Sequence, residues 1–357
     1  MTTIYLVRHG EAEGNAFRRI HGQYDTLLTP TGFRQTEALA RRFQEIPVDA
    51  CFSSDLTRAS LTARAVYLPK RLPLYRDPAF REIRLGRWED LPFGYLERVE
   101  AEAIACFRRD PVAWQLEGAE GSHEYTSRFI RGMKAAAARF PEKTIAIFCH
   151  SAVLRGVLME LFFHRDPAQV PYCDNTAVSK LLWDGRAFTY EFLNDNSHLP
   201  EALQGTRQSS RRCCNLWYRS IDRQVPPGWP QPPEHAVSFL AIAQEEPVGL
   251  LSLDRQAGRI CRLFLPDKFR GQYGEDQLLG QAVSCLRRWG HKTVTIRRQD
   301  AEPDELLDRY GFRPAGALLS CNLDPSVYSW DTPPRDRLPG NTPEPSPAAG
   351  DAAAVRP

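Results

Sequence analysis

Ile4-Tyr5-Leu6-Val7-Arg8-His9-Gly10-Glu11 decides how the rest of the chain is read. An apolar run with β-branched and aromatic members reads as a buried strand. It stops at Arg8-His9-Gly10. In an open α/β sheet, ligand chemistry lies just outside the carboxyl ends of the strands. An arginine and a histidine are therefore delivered to the place where a site belongs, and the glycine lets the backbone turn and approach a ligand closely. Taken alone, the triplet is better explained by a polar turn. Its partners further along the chain carry the functional reading.

Thr29-Pro30 opens a helix, Thr as N-cap and Pro as first helical residue. Phe33, Thr36, Ala40 and Phe43, with Leu39 beside them, form its buried stripe. Residues 49–52 read as a short strand. Ser53-Ser54-Asp55 breaks it and is expected to cap the next helix, with Arg58 in the first turn. Residues 94–140 read as mostly helical, with Tyr125, Phe129, Met133, Ala136 and Phe140 at helical spacing. Residues 144–149 form another buried strand, ending at His150-Ser151, where a helix begins. Strands at 178–183 and 187–193 are joined by the hairpin signal Asp184-Gly185-Arg186. Alternating strands and helices indicate an α/β domain.

Three strand ends thus supply Arg8 and His9, Arg58, and His150. Two arginines and two histidines on one edge make a cationic pocket, and the planar arginine fork suits phosphate oxygens. No Asp/Glu/Cys set with metal-ligand spacing accompanies them, which favours phosphate chemistry without a metal. One histidine would attack phosphorus and carry the phosphoryl group. The protein otherwise contributes positioning and charge neutralisation. The departing alkoxide needs a proton, so an acid belongs nearby.

Arg8-His9-Gly10-Glu11, Asn15, Leu28-Thr29-Pro30-Thr31-Gly32 with Gln35, Ser53-Ser54-Asp55-Leu56-Thr57-Arg58-Ala59, Arg81-Glu82-Ile83-Arg84-Leu85-Gly86-Arg87-Trp88-Glu89, Cys149-His150-Ser151 and Asn194-Asp195-Asn196-Ser197-His198-Leu199 follow in order. Over about residues 1–200 they resemble the histidine phosphatase, or phosphoglycerate-mutase-like, superfamily. The resemblance implies a three-layer α/β/α fold with a helical lid. It also implies His9 as phosphoryl-accepting nucleophile, Arg8, Arg58 and His150 in the phosphate pocket, Glu82 as proton donor and Asn15 as a further phosphate-side contact. Glu11 reads as structural, and Glu89 competes with Glu82.

Two positions depart from the pattern. His21-Gly22 stands where Gln-Gly is usual, with Gln23 as a possible substitute, and Ser151 follows the second histidine in place of glycine. A serine there would cap the helix or touch phosphate. The short domain favours the phosphatase branch over the mutases, which carry longer insertions. Phe93, Tyr95, Phe107 and Trp114 are candidate lid linings.

The second half reads as α+β. Apolar runs at 215–220, 237–243, 248–253 and 259–265 are followed by a helix at 273–289, a strand at 292–297, a short helix at 303–310 and a last strand near 315–322. Glu245-Glu246-Pro247 reads as a hairpin turn. Arg262 to Gln272 entering a helix, with Asp308-Arg309-Tyr310-Gly311-Phe312 later, resembles the GNAT N-acetyltransferase superfamily over about 215–323. The resemblance implies acetyl-CoA as cofactor, with Leu265, Arg270, Gly271 and Gly274 at its pyrophosphate turn. The turn departs from the family pattern. Aligning Arg270 puts Tyr273 and Glu275 at the later glycine positions, and sliding by one recovers Gly274 but leaves Asp276. Two carboxylates beside a diphosphate repel it. The usual tyrosine acid is replaced by Leu307, while Tyr310 reads as structural. A degenerate domain for packing, dimerisation or sensing is the alternative to an active transferase.

The expected organisation is a phosphatase domain at 1–203, a linker at 204–214, a GNAT-like domain at 215–330 and a disordered Pro/Ala-rich tail at 331–357. The 357 residues exceed one ordinary domain. A net charge of +2 speaks against a nucleic-acid partner. No window approaches 18 uninterrupted apolar residues, so no membrane span is expected. With no basic-apolar leader and nine scattered cysteines, the cytoplasm and reduced thiols are expected. The expected function is metal-independent hydrolysis of small phosphorylated metabolites, with no cofactor for that activity. The alternatives are a bifunctional phosphatase/N-acetyltransferase, a mutase-type phosphotransferase and a non-catalytic phospho-ligand binder. The sequence assigns no oligomeric state.

Overall fold

The computed structural model describes residues 1–204, 214–270, 274–300 and 305–324. The first sheet has six strands in the order β3 (Leu74–Arg76), β2 (Ala50–Ser53), β4 (Thr144–Cys149), β1 (Thr2–Arg8), β5 (Val178–Trp183) and β6 (Phe188–Asp195). β2, β3, β4 and β1 run parallel, and β5 and β6 complete the sheet antiparallel. Arg8 lies opposite Cys149, so His9 and His150 leave neighbouring strands at the same level.

Both faces of β1 are covered, which is why it reads as an unbroken apolar run. Ile4 and Leu6 pack in one core with α6 (Ser122–Arg139) and α7 (Ser151–Phe162). Tyr5 and Val7 point the other way, toward α2 (Pro30–Phe43) and α3 (Thr57–Tyr67). These three layers are the expected α/β/α arrangement.

The N-terminus of α2 is as expected: Thr29 Oγ1 accepts the Gly32 N–H at 3.1 Å and Pro30 is the first helical residue. The cap of α3 is different. Leu56 occupies the N-cap position and offers no side-chain cap. Asp25, from a distant loop, instead accepts the Thr57 N–H at 2.8 Å and the Thr57 hydroxyl at 2.6 Å. A carboxylate is favoured there by the helix dipole. Asp55 is turned away, gripped by Arg81 at 2.6 and 2.5 Å.

The second sheet is mixed, with seven strands in the order β12 (Arg313–Ala315), β13 (Leu318–Asn322), β11 (Thr293–Ile296), β10 (Arg259–Phe264), β9 (Glu246–Asp254), β8 (Val237–Ala243) and β7 (Trp217–Ile221). β10 and β11 are parallel, connected through α8 (Glu275–Arg288). The single last strand expected near 315–322 is a hairpin of β12 and β13, turned at Gly316 with φ +64°. The β8–β9 turn sits one residue early. Gln244 and Glu245 adopt φ +46° and +69°, so Glu246 and Pro247 belong to the strand. Gly271, residues 205–213 of the expected linker and the 331–357 tail lie outside the described residues. Among the described residues, no helix is long and apolar enough to cross a membrane.

Candidate active site

A cavity of about 510 Å³ opens at the carboxyl end of the first sheet. Arg8, Asn15, His21, Gly22, Glu82 and Ser151 line it. His9, Arg58 and His150 are buried and are not among the residues that line it. The His9 ring lies 5.2 Å from His150 and 6.0 Å from His21, centroid to centroid. Six of the nine residues expected at the phosphate site line the cavity, while His9 and His150 adjoin it through these ring contacts and Arg58 through its bond to the Gly22 carbonyl.

The strand end holding His9 is fixed on every side. Its carbonyl accepts the Asn175 side-chain amide at 3.1 Å and the Thr176 N–H at 3.3 Å. Gly10 N–H donates to Thr62 Oγ1 at 3.0 Å. The Nδ1 of His9 lies 2.6 Å from the Gly10 carbonyl. A carbonyl only accepts, so Nδ1 carries the proton and Nε2 keeps its lone pair. Burial, then the charges of Arg58, Arg8 and His21, hold His9 well below the ordinary value of 6.5, against the Gly10 bond. His150 is depressed by burial, Arg58 and His9. Neither of its ring nitrogens has a hydrogen-bond partner among the described residues.

Arg8 donates to the Cys173 carbonyl at 2.5 Å. Arg58 donates to the Tyr24 carbonyl at 3.1 Å and the Gly22 carbonyl at 2.8 Å, so it orients the loop that carries His21. His21 Nε2 accepts the Gly14 N–H at 2.8 Å, which places its proton on Nδ1 in the neutral form. Burial, Arg58 and Arg8 keep it neutral. Gln23 does not take this place: its amide donates to the Glu82 carbonyl at 3.1 Å and it is absent from the cavity wall.

Glu82 Oε1 accepts the Val153 N–H at 2.7 Å and the Ile83 N–H at 3.0 Å, while Oε2 accepts the Ala152 N–H at 3.1 Å. It therefore supplies the cap of α7, displacing Ser151 from the expected capping role. Ser151 is the first helical residue and faces the cavity. Glu89 is placed elsewhere. Its Oε1 accepts the Gln23 and Leu85 N–H groups, both at 2.9 Å, and it lies outside the cavity wall. Glu11 takes the Thr29 hydroxyl at 2.6 Å, a structural contact. Asn15 Oδ1 accepts the Ala12 N–H at 3.0 Å.

Two residues were not anticipated. Arg155 lines the cavity one helical turn after Ser151, a spacing that places both on one face of α7. Arg128 braces the Glu82 loop, donating to the Ala79 and Arg81 carbonyls and to Glu120. No local pattern marks it, because its partners are 8 to 50 residues away. Of the four expected lid aromatics, Phe93 of α4 (Phe93–Val99) and Phe107 of α5 (Ala101–Arg109) line the cavity. Trp114 is buried against Trp88 and Phe107, and Tyr95 is exposed.

In the second sheet, Leu265 is buried and its carbonyl accepts Arg270 Nε at 3.3 Å, with Asp267 pairing the same guanidinium at 3.2 Å. Gly274 adopts φ +75° at the start of α8. Asp276 is bound by Arg309 at 3.1 and 3.3 Å. His235, Asp254 and Cys261 form the one cluster among the described residues with potential metal-ligand spacing. Arg259 already sits on Asp254 there, at 3.2 Å.

The family model for the histidine phosphatase superfamily (branch 1) matches residues 4–196. The chain belongs to that superfamily. Among its relatives, "Putative phosphoserine phosphatase 2" of Hydrogenobacter thermophilus is 27% identical over 199 residues, 56% of this chain and 98% of that protein. "Probable phosphoglycerate mutase GpmB" of Yersinia pestis is 39% identical over 102 residues, 29% of this chain, and the match spans 47% of that protein. Among solved structures, Bacillus stearothermophilus YhfR aligns with a TM-score of 0.53 at 28% identity, covering 56% of this chain and 99% of that one. A mycobacterial glucosyl-3-phosphoglycerate phosphatase solved with VO3 aligns at 0.51 and 22% identity, covering 54% of this chain and 99% of that one, a likeness of fold.

Proposed function

We propose that the N-terminal domain is a phosphatase that hydrolyses small phosphomonoesters without a metal, through a phosphohistidine on His9. The observation that carries this reading is the bond from His9 Nδ1 to the Gly10 carbonyl. It leaves Nε2 unprotonated and directed by a rigid strand end, as an attacking nitrogen requires. Arg8, Arg58, His21 and the unpaired His150 surround the place where phosphate oxygens would sit, and their donors would stabilise the charge of the transferring group.

In the first step the Nε2–P bond forms as the P–O bond to the alcohol breaks. The alkoxide takes a proton from Glu82, whose carboxyl lines the same cavity. In the second step the Glu82 carboxylate takes a proton from water, the water oxygen attacks phosphorus, and His9 is released neutral with inorganic phosphate. The relative named as a phosphoserine phosphatase makes phosphoserine a first substrate to try. With p-nitrophenyl phosphate in EDTA, phosphate release by the full-length protein should persist, and His9→Ala should abolish it. Activity that requires added metal would overturn the mechanism.

The GpmB relative supports a second reading, phosphoryl transfer between hydroxyls of one metabolite. A phosphoglycerate substrate separates the two readings: free phosphate marks the phosphatase and a positional isomer marks the mutase. Glu82 speaks against a pure phospho-ligand binder, which needs no proton donor. For the second sheet, acetyl-CoA binding at the turn near Leu265, Arg270 and Gly274 is a separate proposal, making the chain bifunctional. Calorimetry of the full-length protein with acetyl-CoA tests it, and absence of binding heat removes it.

A further inference from the structure

The segment from α1 (Glu13–Ala16) to Gly22 has two sides. One side, with Asn15, His21 and Gly22, walls the phosphate cavity, and Arg18 and Arg19 line that cavity while also bonding the second domain. The other side is held by α8 of the second sheet. Phe17 is buried in the core of the second domain, with its ring 5.3 Å from that of Tyr310. Gly280 makes the seat: a Cβ there would lie 2.3 Å from Phe17 Cβ.

The polar contacts are as complete as the apolar ones. Arg287 clasps Glu13 through both terminal nitrogens at 2.6 and 2.9 Å, and its Nε donates to the Leu323 carbonyl at 3.0 Å. Arg19 donates to Gln281 Oε1 and Ser284 Oγ, both at 2.8 Å, and to Asp90 Oδ1 at 2.8 Å. Ser284 donates to Asp90 Oδ2 at 2.6 Å, and Arg288 pairs with the same carboxylate at 3.1 Å. Without α8, the buried carboxylates of Glu13 and Asp90 would lose partners they need. YhfR, by contrast, is covered end to end by just over half of this chain.

Glu13 adjoins Gly14, whose N–H is the donor that orients His21. The line from Arg287 through Glu13 and Gly14 therefore ends at a ring on the cavity wall. We propose that α8 is a positioning element of the phosphate pocket, with Arg287 the positioning residue that keeps His21 in place through Glu13. The second domain thereby serves the first site whatever else it binds. This inference rests on the phosphatase reading of the cavity.

The test uses full-length protein, p-nitrophenyl phosphate turnover, inhibition by inorganic phosphate, and circular dichroism to confirm folding at the assay temperature. Arg287→Ala should raise KM and the phosphate inhibition constant together by about tenfold, with kcat changed much less, as for loss of ground-state binding. Arg287→Lys, which keeps the charge, should recover part of that loss. Should Arg287→Ala fail to fold, Gln281→Ala and Ser284→Ala, which loosen Arg19, are read instead. They should raise both constants by about threefold, in the same pattern. Folded variants with wild-type KM and phosphate inhibition would overturn the proposal and leave α8 a stability contact. His9→Ala, measured alongside, keeps the two ideas apart: if it retains activity, the phosphatase reading itself fails.

Discussion

Glu82 accepts the N–H of Val153 at 2.7 Å, tying the loop after β3 to the helix that begins at the His150 strand end. One carboxyl thereby caps a helix and faces the cavity. Glu82→Gln keeps a cap acceptor but cannot return a proton. It should lower kcat/KM, which reports phosphoryl transfer to His9, on an alkyl phosphate by ~10²–10⁴. The loss on p-nitrophenyl phosphate, whose leaving group departs as a stable anion, should be much smaller. Equal losses of kcat/KM on both substrates would remove the acid role.

Arg58 is tied to two carbonyls of the His21 loop, at Gly22 and Tyr24. Lysine cannot span both while also facing phosphate, because it lacks the planar fork. Arg58→Lys should reduce kcat/KM by ~10²–10³, the scale of one lost transition-state donor. A change below threefold would show that charge alone suffices there.

Gly32 lies against the backbone that follows His9. A Cβ on it would sit 2.1 Å from the Glu11 carbonyl oxygen. Backbone cannot swing aside as a side chain can, so Gly32→Ala should destabilise the fold by ~1–3 kcal/mol. It should also lower activity through displacement of Gly10. Denaturant unfolding and turnover measured together check this, and wild-type values in both would contradict the packing.

Histidine burial sets the pH response. His9, His21 and His150 lie well below 6.5, in each case chiefly through burial and then Arg58. His198 falls to about 4, by burial and the Arg42 charge. These rings stay neutral in the folded chain while the unfolded chain takes up protons as pH falls through about 6.5. Their contribution to stability is therefore complete above that pH and is lost progressively below it, toward the depressed folded values. Melting temperature should drop between pH 7 and about 5, and the acid limb of kcat/KM should lie below 6.5. A limb at or above 6.5 would mean that His9 is not held neutral.

Much of the first site was legible because its chemistry sits at strand ends. Val7-Arg8-His9 and Phe148-Cys149-His150 each break an apolar run, and parallel pairing of β1 with β4 at matched register brings them together. Helix caps were less legible. Thr29 caps α2 from within its own sequence, but the caps of α3 and α7 come from Asp25 and Glu82, at separations of 32 and 71 residues. Local spacing carries no information about a carboxylate delivered by another loop.

The sequence by itself determined the α/β class of the first domain, the strand ends and the residue types gathered at the phosphate pocket. These follow from apolar periodicity and from where polar groups interrupt it. Only the tertiary structure decided the tautomer of His9, the pairing of Glu13 with Arg287 across 274 residues and the seating of Phe17 on Gly280. Those are contacts between elements whose meeting depends on the packing of two sheets. No local preference in the chain encodes which buried carboxylate a distant arginine will find.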